Sequence, residues 1–175
     1  MRRNSNSLVL LLIAGIIAAS LFVSGCGGGG GGGSVSTLDP DQLEVASTID
    51  GFAAAVRAEN ITDAQNFLDT NLKYERVGDI TEIGADKFIA RLKTFFDLAK
   101  VDDFQITNIG IVIVTDTIAT GRADLSLSYT DNNGVAGPAV VENIELAFER
   151  ASGGIWGLLE FGVYGGKGSS FPPEL

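Results

Sequence analysis

Acid–base chemistry in this chain would depend on carboxylates and tyrosines, because the sequence contains no histidine. Histidine is the side chain whose unperturbed pKa lies near neutral pH, so a carboxylate would need burial in apolar surroundings to act as a general acid or base. The candidates are Asp124 and Glu142 on predicted strands, with Tyr129 on the apolar face of its strand. Strand alternation places Asp124 beside Arg122 on the opposite face, where an exposed ion pair contributes ~0–1 kcal/mol. An error of one residue in the register would turn Asp124 inward.

Metal chemistry would require ligands that converge, and acidic side chains are the candidates. Asp102 and Asp103 could approach Asp116 across a hairpin end and offer the oxygen ligands that calcium takes, but no loop has EF-hand spacing. A solvated acidic rim is the other interpretation, and we favour it. We therefore expect no metal, no cofactor and no catalytic residue.

The single cysteine, Cys26, has surroundings that indicate a role. An uncharged apolar run over residues 8–22 follows Arg2 and Arg3, and Val23-Ser24-Gly25-Cys26 comes directly after it. This stretch resembles the lipobox of bacterial lipoprotein precursors, in which an aliphatic residue and two small residues precede the cysteine. The resemblance implies that a signal peptide, residues 1–25, is removed and that lipid, palmitate included, is attached to Cys26. The apolar run is shorter than the ~20 residues that span a bilayer comfortably, which favours a cleaved signal over a membrane helix.

A lipid on Cys26 would make the membrane the first partner of this chain. Two or more acyl chains anchor a protein stably, whereas one holds it only marginally. Gly27, and not an aspartate, follows the cysteine, so the resemblance implies the outer membrane, facing the periplasm, as the location in the cell envelope. Seven glycines begin at Gly27, and residues 26–38 are predicted to be a flexible tether.

The charge of the chain excludes one class of partner. Lysine and arginine number 12 against 22 aspartates and glutamates, for a net charge of −10. Nucleic-acid phosphates need a basic surface, so we expect no nucleic-acid binding.

Capping residues and apolar periodicity predict helices at the start of the folded part. Asp39, Pro40 and Gln42 form a capping box ahead of an apolar face, and a second capping box runs from Thr62 to Gln65. The third helix is the clearest, with an apolar stripe at helical spacing. The stripes comprise Leu43, Ala46, Ile49, Ala53 and Val56 in the first helix, and Phe88, Leu92, Phe95, Phe96 and Ala99 in the third. Residues 71–84 are predicted to be a loose connection.

After Lys100 the apolar period changes from that of a helix to that of a strand. Four strands are predicted, over residues 104–114, 118–129, 139–150 and 155–164, with a tight turn at Asn133-Gly134. The first strand is apolar on both faces, so a face carrying Ile109, Ile111 and Ile113 would need cover from a loop or from a partner subunit, as in a homodimer through the sheet. Residues 165–175 are predicted to be a flexible tail.

These elements predict an α+β domain over residues 39–164, with three N-terminal helices packed on a curved four-stranded antiparallel sheet. The element order resembles the nuclear transport factor 2-like superfamily, including its SnoaL-like and ketosteroid-isomerase-like branches. The matching features are two capped helices, Gly84-Ala85-Asp86-Lys87-Phe88 opening a helix with Phe95-Phe96, and Trp156 soon after Gly153-Gly154. Another helix-on-sheet fold, such as a cystatin-like one, is the alternative.

The resemblance implies a cone-shaped pocket between helices and sheet, and not a particular reaction. Its lining would comprise Phe52, Phe95, Phe96, Tyr129 and Trp156, which would otherwise be plain core. Three functions follow: a lipid-anchored module that binds a ligand or a protein without catalysis, a small isomerase or cyclase acting on an apolar substrate in the cone, and a structural component of an envelope complex.

Overall fold

The structure is a computed structural model that describes residues 39–78, 80–150, 154–163 and 168–174. The predicted signal peptide, Cys26 and the tether lie outside the described residues, and so do Gly153 and Tyr164. Among the helices that are described, none is long and apolar enough to cross a membrane.

Helix α1 spans Pro40–Arg57 and begins at the predicted capping box. The Asp39 carboxylate accepts a hydrogen bond from the Asp41 amide at 2.9 Å, and the Asp39 amide donates to Oε1 of Gln42 at 3.2 Å. The buried stripe of α1 is rotated relative to the prediction, because Val45, Ile49, Phe52 and Val56 make a more continuous apolar face. Leu43, which was predicted to face the core, is consequently 50% exposed.

Helix α2 is short, Ile61–Gln65, and its cap differs from the prediction. Asn60, and not Thr62, accepts the capping hydrogen bond, from the Asp63 amide at 3.1 Å. Asparagine is the stronger N-cap residue of the two, which explains the earlier start. The helix also ends before Phe67.

The prediction of a loose connection over residues 71–84 is wrong, because these residues contain most of a β-hairpin. Strand β1 spans Leu68–Arg76 and pairs with β2, Ile80–Ile83, in antiparallel orientation. Helix α3, Ala85–Leu98, follows this hairpin, so the helices are not all N-terminal to the sheet. The stripe of α3 is confirmed at Phe88, Leu92 and Phe95, whereas Phe96 is only half-buried.

Six strands therefore form one sheet, where the sequence predicted four. The remaining strands are β3 (Ala99–Thr115), β4 (Ile118–Asp131), β5 (Val140–Arg150) and β6 (Trp156–Val163). Their spatial order is β2-β1-β6-β5-β4-β3. All neighbours are antiparallel except β1 and β6, which are parallel. The fold is thus α+β, as predicted, with a curved, open sheet and helices on the face that we call the inner face.

The alternation of β4 and β5 is confirmed. The inner face of β4 carries Ala123, Leu125, Leu127 and Tyr129, all buried, and that of β5 carries Val140, Ile144, Leu146 and Phe148. The predicted turn between these strands is also present, since Gly134 has a φ of 80° and donates its amide hydrogen to the Asp131 carbonyl at 2.9 Å.

A β-bulge in β3 reverses the face that was predicted for its isoleucines. The pairing with β4 shifts between Thr107 and Gly110, and Asn108 has a φ of 52°. A bulge inserts an extra residue and so changes which positions point inward. As a result, Ile109, Ile111 and Ile113 pack against the core on the same side as Phe104. The exposed apolar residues on the outer face of β3 are instead Val112 and Val114.

The C-terminal segment, residues 168–174, is packed against the domain, whereas the sequence predicted a flexible tail. Phe171 is completely buried, and Ser169 and Pro172 are buried as well. The glycines and prolines that suggested fraying are compatible with a tightly fitted extended chain, because the packing of Phe171 supplies the energy that local sequence does not indicate.

Candidate functional site

Aromatic side chains of this chain fill the space between the helices and the inner face of the sheet, which we call the cone. The cavity that remains beside Thr48, Phe52 and Phe148 has a volume of about 10 Å³. A water molecule requires about that much room, so this cavity is too small for a larger ligand. The rings in mutual contact are Phe52, Tyr74, Phe88, Phe104, Phe161 and Phe171.

Phe171 belongs to the C-terminal segment, and it closes the cone. Its ring centroid lies 4.8 Å from that of Phe104 and 6.1 Å from those of both Phe88 and Phe161. The Tyr74 hydroxyl donates a hydrogen bond to the Phe171 carbonyl oxygen. Burial raises the pKa of the Tyr74 phenol, so the group stays a neutral hydrogen-bond donor near neutral pH.

The backbone of the C-terminal segment adds to the end of β1. The Ser169 amide donates to the Glu75 carbonyl at 2.7 Å, and the Val77 amide donates to the Ser169 carbonyl at 3.2 Å. Ser169 thereby makes a parallel bridge with Arg76. Gly168 permits this approach, because a Cβ there would stand 1.5 Å from the Arg76 carbonyl oxygen. The end of β1 therefore binds the main chain of the segment, whatever its side chains are.

Glu142 contacts the same segment at the end of the cone where residues 168–174 enter it, which we call the mouth. It sits between Val140 and Ile144 on β5, shares their inner face and is partly buried. Its carboxylate accepts hydrogen bonds from the Ser169 hydroxyl and from the Ser170 amide, each at 2.6 Å. The sequence had singled out this carboxylate as a candidate, but the donors that bind it come from a segment expected to be mobile.

Two arginines flank the mouth and bind the last acidic side chain of the segment. Glu82 on β2 binds Arg91 of α3 through two hydrogen bonds, at 2.7 and 2.8 Å, and lies 3.4 Å from Arg76. The hydrogen bonds from Arg91 lower the pKa of Glu82. Glu174 accepts from Arg91 at 2.9 Å and also from Arg76. The side chains of the arginines are 15% and 27% exposed, which strengthens their attraction for a carboxylate relative to a fully solvated pair.

Open cavities lie on either side of the bound segment. One, of about 550 Å³, is lined by Arg91 and Phe95 together with Pro172 and Glu174. The other, of about 330 Å³, is lined by Tyr74 and Tyr129, again with Pro172 and Glu174. The segment thus runs through a groove and does not lie under a continuous layer of other residues.

Asp124 is on the outer face of the sheet, as strand alternation predicted, but its partner differs. Its carboxylate accepts hydrogen bonds from the side-chain amides of Asn108 at 2.7 Å and Asn143 at 2.8 Å, and these bonds lower its pKa. Arg122 pairs instead with Glu145, at 3.0 Å. A lowered pKa on the outer face is the opposite of what a general base in the cone would need.

The predicted pocket-lining aromatics are not brought together at one place. Phe52 borders the small internal cavity, and the rings of Phe95 and Tyr129 meet edge to face at 5.1 Å near the C-terminal prolines. Phe96 is half-buried beside Phe95. Trp156 is buried beneath the guanidinium of Arg150, 4.6 Å from the ring centroid. A ligand-contacting role for these residues stays a prediction.

The sequence singled out Tyr74 only as an apolar plug of the stretch 71–84, and it did not single out four other residues of the groove: Arg76, Arg91, Phe171 and Glu174. Tyr74 and Arg76 belong to a strand that the sequence did not predict. For the C-terminal segment, which contains Phe171 and Glu174, the signal that could have marked it is a large aromatic residue directly ahead of Pro172-Pro173. An aromatic residue in an otherwise polar terminal stretch has surface to bury.

No group of three or more acidic, histidine or cysteine side chains within the described residues is arranged to hold a metal ion. Asp102 and Asp116 in particular lie near opposite ends of the long strand β3, so the hairpin site considered above is not formed. Asp102 accepts a hydrogen bond from Thr130 at 2.6 Å instead.

Comparison with known proteins yields similarity in structure alone, since the chain matches no known family pattern and no curated protein sequence. A conserved protein from Planctomyces limnophilus superposes with a TM-score of 0.63 at 19% identity, over 69% of this chain and 92% of that one. A ketosteroid isomerase-like protein from Erwinia carotovora atroseptica superposes with a TM-score of 0.60 at 13% identity, over 70% of this chain and 94% of that one. A nuclear transport factor 2-like protein of unknown function in nutrient uptake from Rhodospirillum rubrum superposes with a TM-score of 0.57 at 11% identity, over 67% of this chain and 93% of that one.

At such identities the similarity establishes architecture and not activity. The neighbours share the helices packed on a curved sheet that this chain displays, and each of the three is covered almost completely. The described part of this chain therefore has a nuclear transport factor 2-like, SnoaL-like fold.

Proposed function

We propose that this chain is a lipid-anchored protein of the cell envelope whose domain binds a ligand or a protein partner without catalysing a reaction. The observation that carries the proposal is the distribution of ionisable groups around the cone. Among the described residues, the ionisable side chains that are almost fully buried are Tyr74 and Tyr129. Burial raises the pKa of both phenols, away from neutral pH. Neither phenol is thus suited to move a proton at pH 7.

The anchor and location in this proposal derive from the lipobox. Cys26 would carry the lipid, and the glycine tether would let the domain extend from the membrane surface. The proposed membrane is the outer membrane, with the domain facing the periplasm. The exposed valines of the outer face, Val112, Val114 and Val141, leave open a homodimer or an envelope complex through the sheet. Charged pairs on that face, such as Lys73 with Glu160 at 2.7 Å, make it less apolar than a permanent interface usually is.

The second candidate function is a small isomerase or cyclase, and Glu142 favours it. This carboxylate is on the inner face, partly buried, at the mouth of the cone near the Tyr74 phenol. A carboxylate beside a neutral phenol is an arrangement that can remove a proton next to a carbonyl and stabilise the oxyanion that forms. The Phe171 ring fills the space between Phe88, Phe104 and Phe161, so this chemistry would require the C-terminal segment to leave.

Two measurements separate these functions. Native mass spectrometry of the protein, incubated with envelope extract, should show a retained ligand or protein partner. Deuterium exchange into an enolisable ketone such as cyclohexenone should be no faster with the wild-type protein than with Glu142→Gln. Exchange that is accelerated by the wild type and lost in that variant would overturn the non-catalytic proposal.

A further inference from the structure

The C-terminal segment has the properties of a bound peptide that happens to be covalently attached. Three features are recognised separately: the main chain of Ser169 by the end of β1, the ring of Phe171 by the aromatic cone, and the carboxylate of Glu174 by Arg76 and Arg91. Sites that bind peptides by strand addition work in this way, with main-chain hydrogen bonds for affinity and pockets for specificity.

The receptor surface belongs to regular elements, whereas the segment is not part of one. Tyr74 and Arg76 are on β1, Glu142 is on β5, and Arg91 is on α3. Pairing with neighbouring strands and helix packing position these residues independently of the segment. The groove is therefore defined by the domain itself.

Departure of the segment would leave polar groups that need new partners. The Tyr74 hydroxyl would lose its acceptor, Glu142 would lose two donors, and the two arginines would retain Glu82 as their shared carboxylate. Partly buried groups without partners are costly, so the open groove would favour any chain that restores the same contacts.

We propose that this groove, lined by Tyr74, Arg76, Arg91, Glu142 and the rings of the cone, is a binding site for an extended peptide. The peptide carries an aromatic residue three positions before an acidic one, as Phe171 precedes Glu174. Residues 168–174 are its intramolecular competitor. The inference rests on the proposed binding function and names the partner class of that site. An attached segment competes at a millimolar effective concentration, so an added peptide binds measurably only when the segment is undocked.

The test uses the full chain with Gly168→Ala, because the new methyl group would clash with the Arg76 carbonyl and undock the segment. Gly110→Ala is the matched control, since a Cβ at Gly110 meets no atom within 4 Å. A fluorescent peptide with the sequence of residues 168–174 should bind Gly168→Ala at least about tenfold more tightly than wild type or the control, a clear difference in affinity. The Phe171→Ala peptide should lose at least about tenfold.

The proposal would be overturned if a folded Gly168→Ala chain did not bind the peptide. It would also be overturned if that chain bound a peptide of reversed sequence with the same affinity. Binding of 3-phenylpropanoate without binding of the peptide would also overturn it, in favour of a small aromatic acid. If the peptide does not bind and native mass spectrometry finds a different ligand, the peptide proposal fails while the proposed binding function stands.

Hydrogen exchange of the wild-type chain keeps the proposal testable even where Gly168→Ala does not fold. A displaceable segment should open locally, so the Ser169 amide should exchange at least about a hundredfold faster than the Leu125 amide in central strand β4. Equal exchange rates would mean that the segment leaves only when the whole domain unfolds, and would overturn the proposal.

Discussion

The Tyr74 hydroxyl donates to the carbonyl oxygen of Phe171, and this hydrogen bond joins β1 to the C-terminal segment inside the core. The two residues are 97 positions apart in the sequence. The bond lies between the aromatic cone and the charged mouth, so it couples packing of the Phe171 ring to the polar groove.

Tyr74→Phe should lower the free energy of unfolding by ~1–3 kcal/mol, because a buried carbonyl loses its donor while the ring remains. Chemical denaturation measures the change. Tyr129→Phe is the control, because the described residues provide no hydrogen-bond partner for that hydroxyl. Equal losses in both variants would contradict a specific role for the Tyr74 bond.

Alkaline pH should destabilise the domain through Tyr74. Burial raises the pKa of this phenol in the folded protein, whereas the unfolded chain titrates near the ordinary value of about 10. Above that pH the unfolded state has lost a proton that the folded state keeps, so the free energy of unfolding falls as pH rises. Denaturation series at rising pH should show a steeper decline for wild type than for Tyr74→Phe. A wild-type curve that is parallel to that of the variant would refute this.

Acid should weaken the mouth of the cone through Glu82. The hydrogen bonds from Arg91 lower the pKa of this carboxyl in the folded state, so it contributes stability above the unfolded pKa of about 4.3 that is lost as pH falls through the folded value. Glu82→Gln should therefore have a lower free energy of unfolding than wild type at pH 7, and the difference between the two proteins should become smaller in acid. Denaturation series from pH 7 to pH 2 provide the measurement. A difference that stays constant would show that the carboxyl is not perturbed.

Phe95 and Phe96 are adjacent in sequence, yet their truncations should differ. Phe95 is 1% exposed, so Phe95→Ala should cost ~3–5 kcal/mol, whereas Phe96→Ala should cost less because its ring is only partly buried. Denaturant melts of the two variants give the comparison. A larger loss for Phe96→Ala would mean that the helix faces the core with its other side.

Cys26→Ser should abolish lipidation and membrane retention. The prediction rests on the lipobox and on the absence of another cysteine from the sequence. Metabolic palmitate labelling followed by fractionation measures it, with the wild-type chain as the positive control. Label that persists on the serine variant would refute the anchor.

Features that depend on neighbouring residues in the sequence were predictable from it. The capping box of Asp39 and Gln42 and the alternation around Leu125 depend on contacts or periods within a few residues, and the structure confirms both. The α+β class and the resemblance to the nuclear transport factor 2-like fold followed from the order of such elements.

Features that depend on distant partners were not predictable. Strand β1 has only Leu72 and Tyr74 as a short apolar alternation, and β6 and β2 on either side stabilise it. Likewise, the bulge at Asn108 is a matter of register with β4 and decides which face the isoleucines of β3 occupy.

The candidate site depends most strongly on tertiary structure. Nothing local distinguishes Phe171 from a residue in a frayed terminus, because its burial energy comes from rings on α3, β3 and β6. Arg76, Arg91 and Glu174 become a charged cluster only once the hairpin, the helix and the C-terminal segment meet. The sequence by itself determined the long helices, the strands after Lys100 and the acidic, histidine-free chemistry, because these depend on local periodicity and composition. The three-dimensional packing decided the β1–β2 hairpin, which side chains form the groove and what fills it.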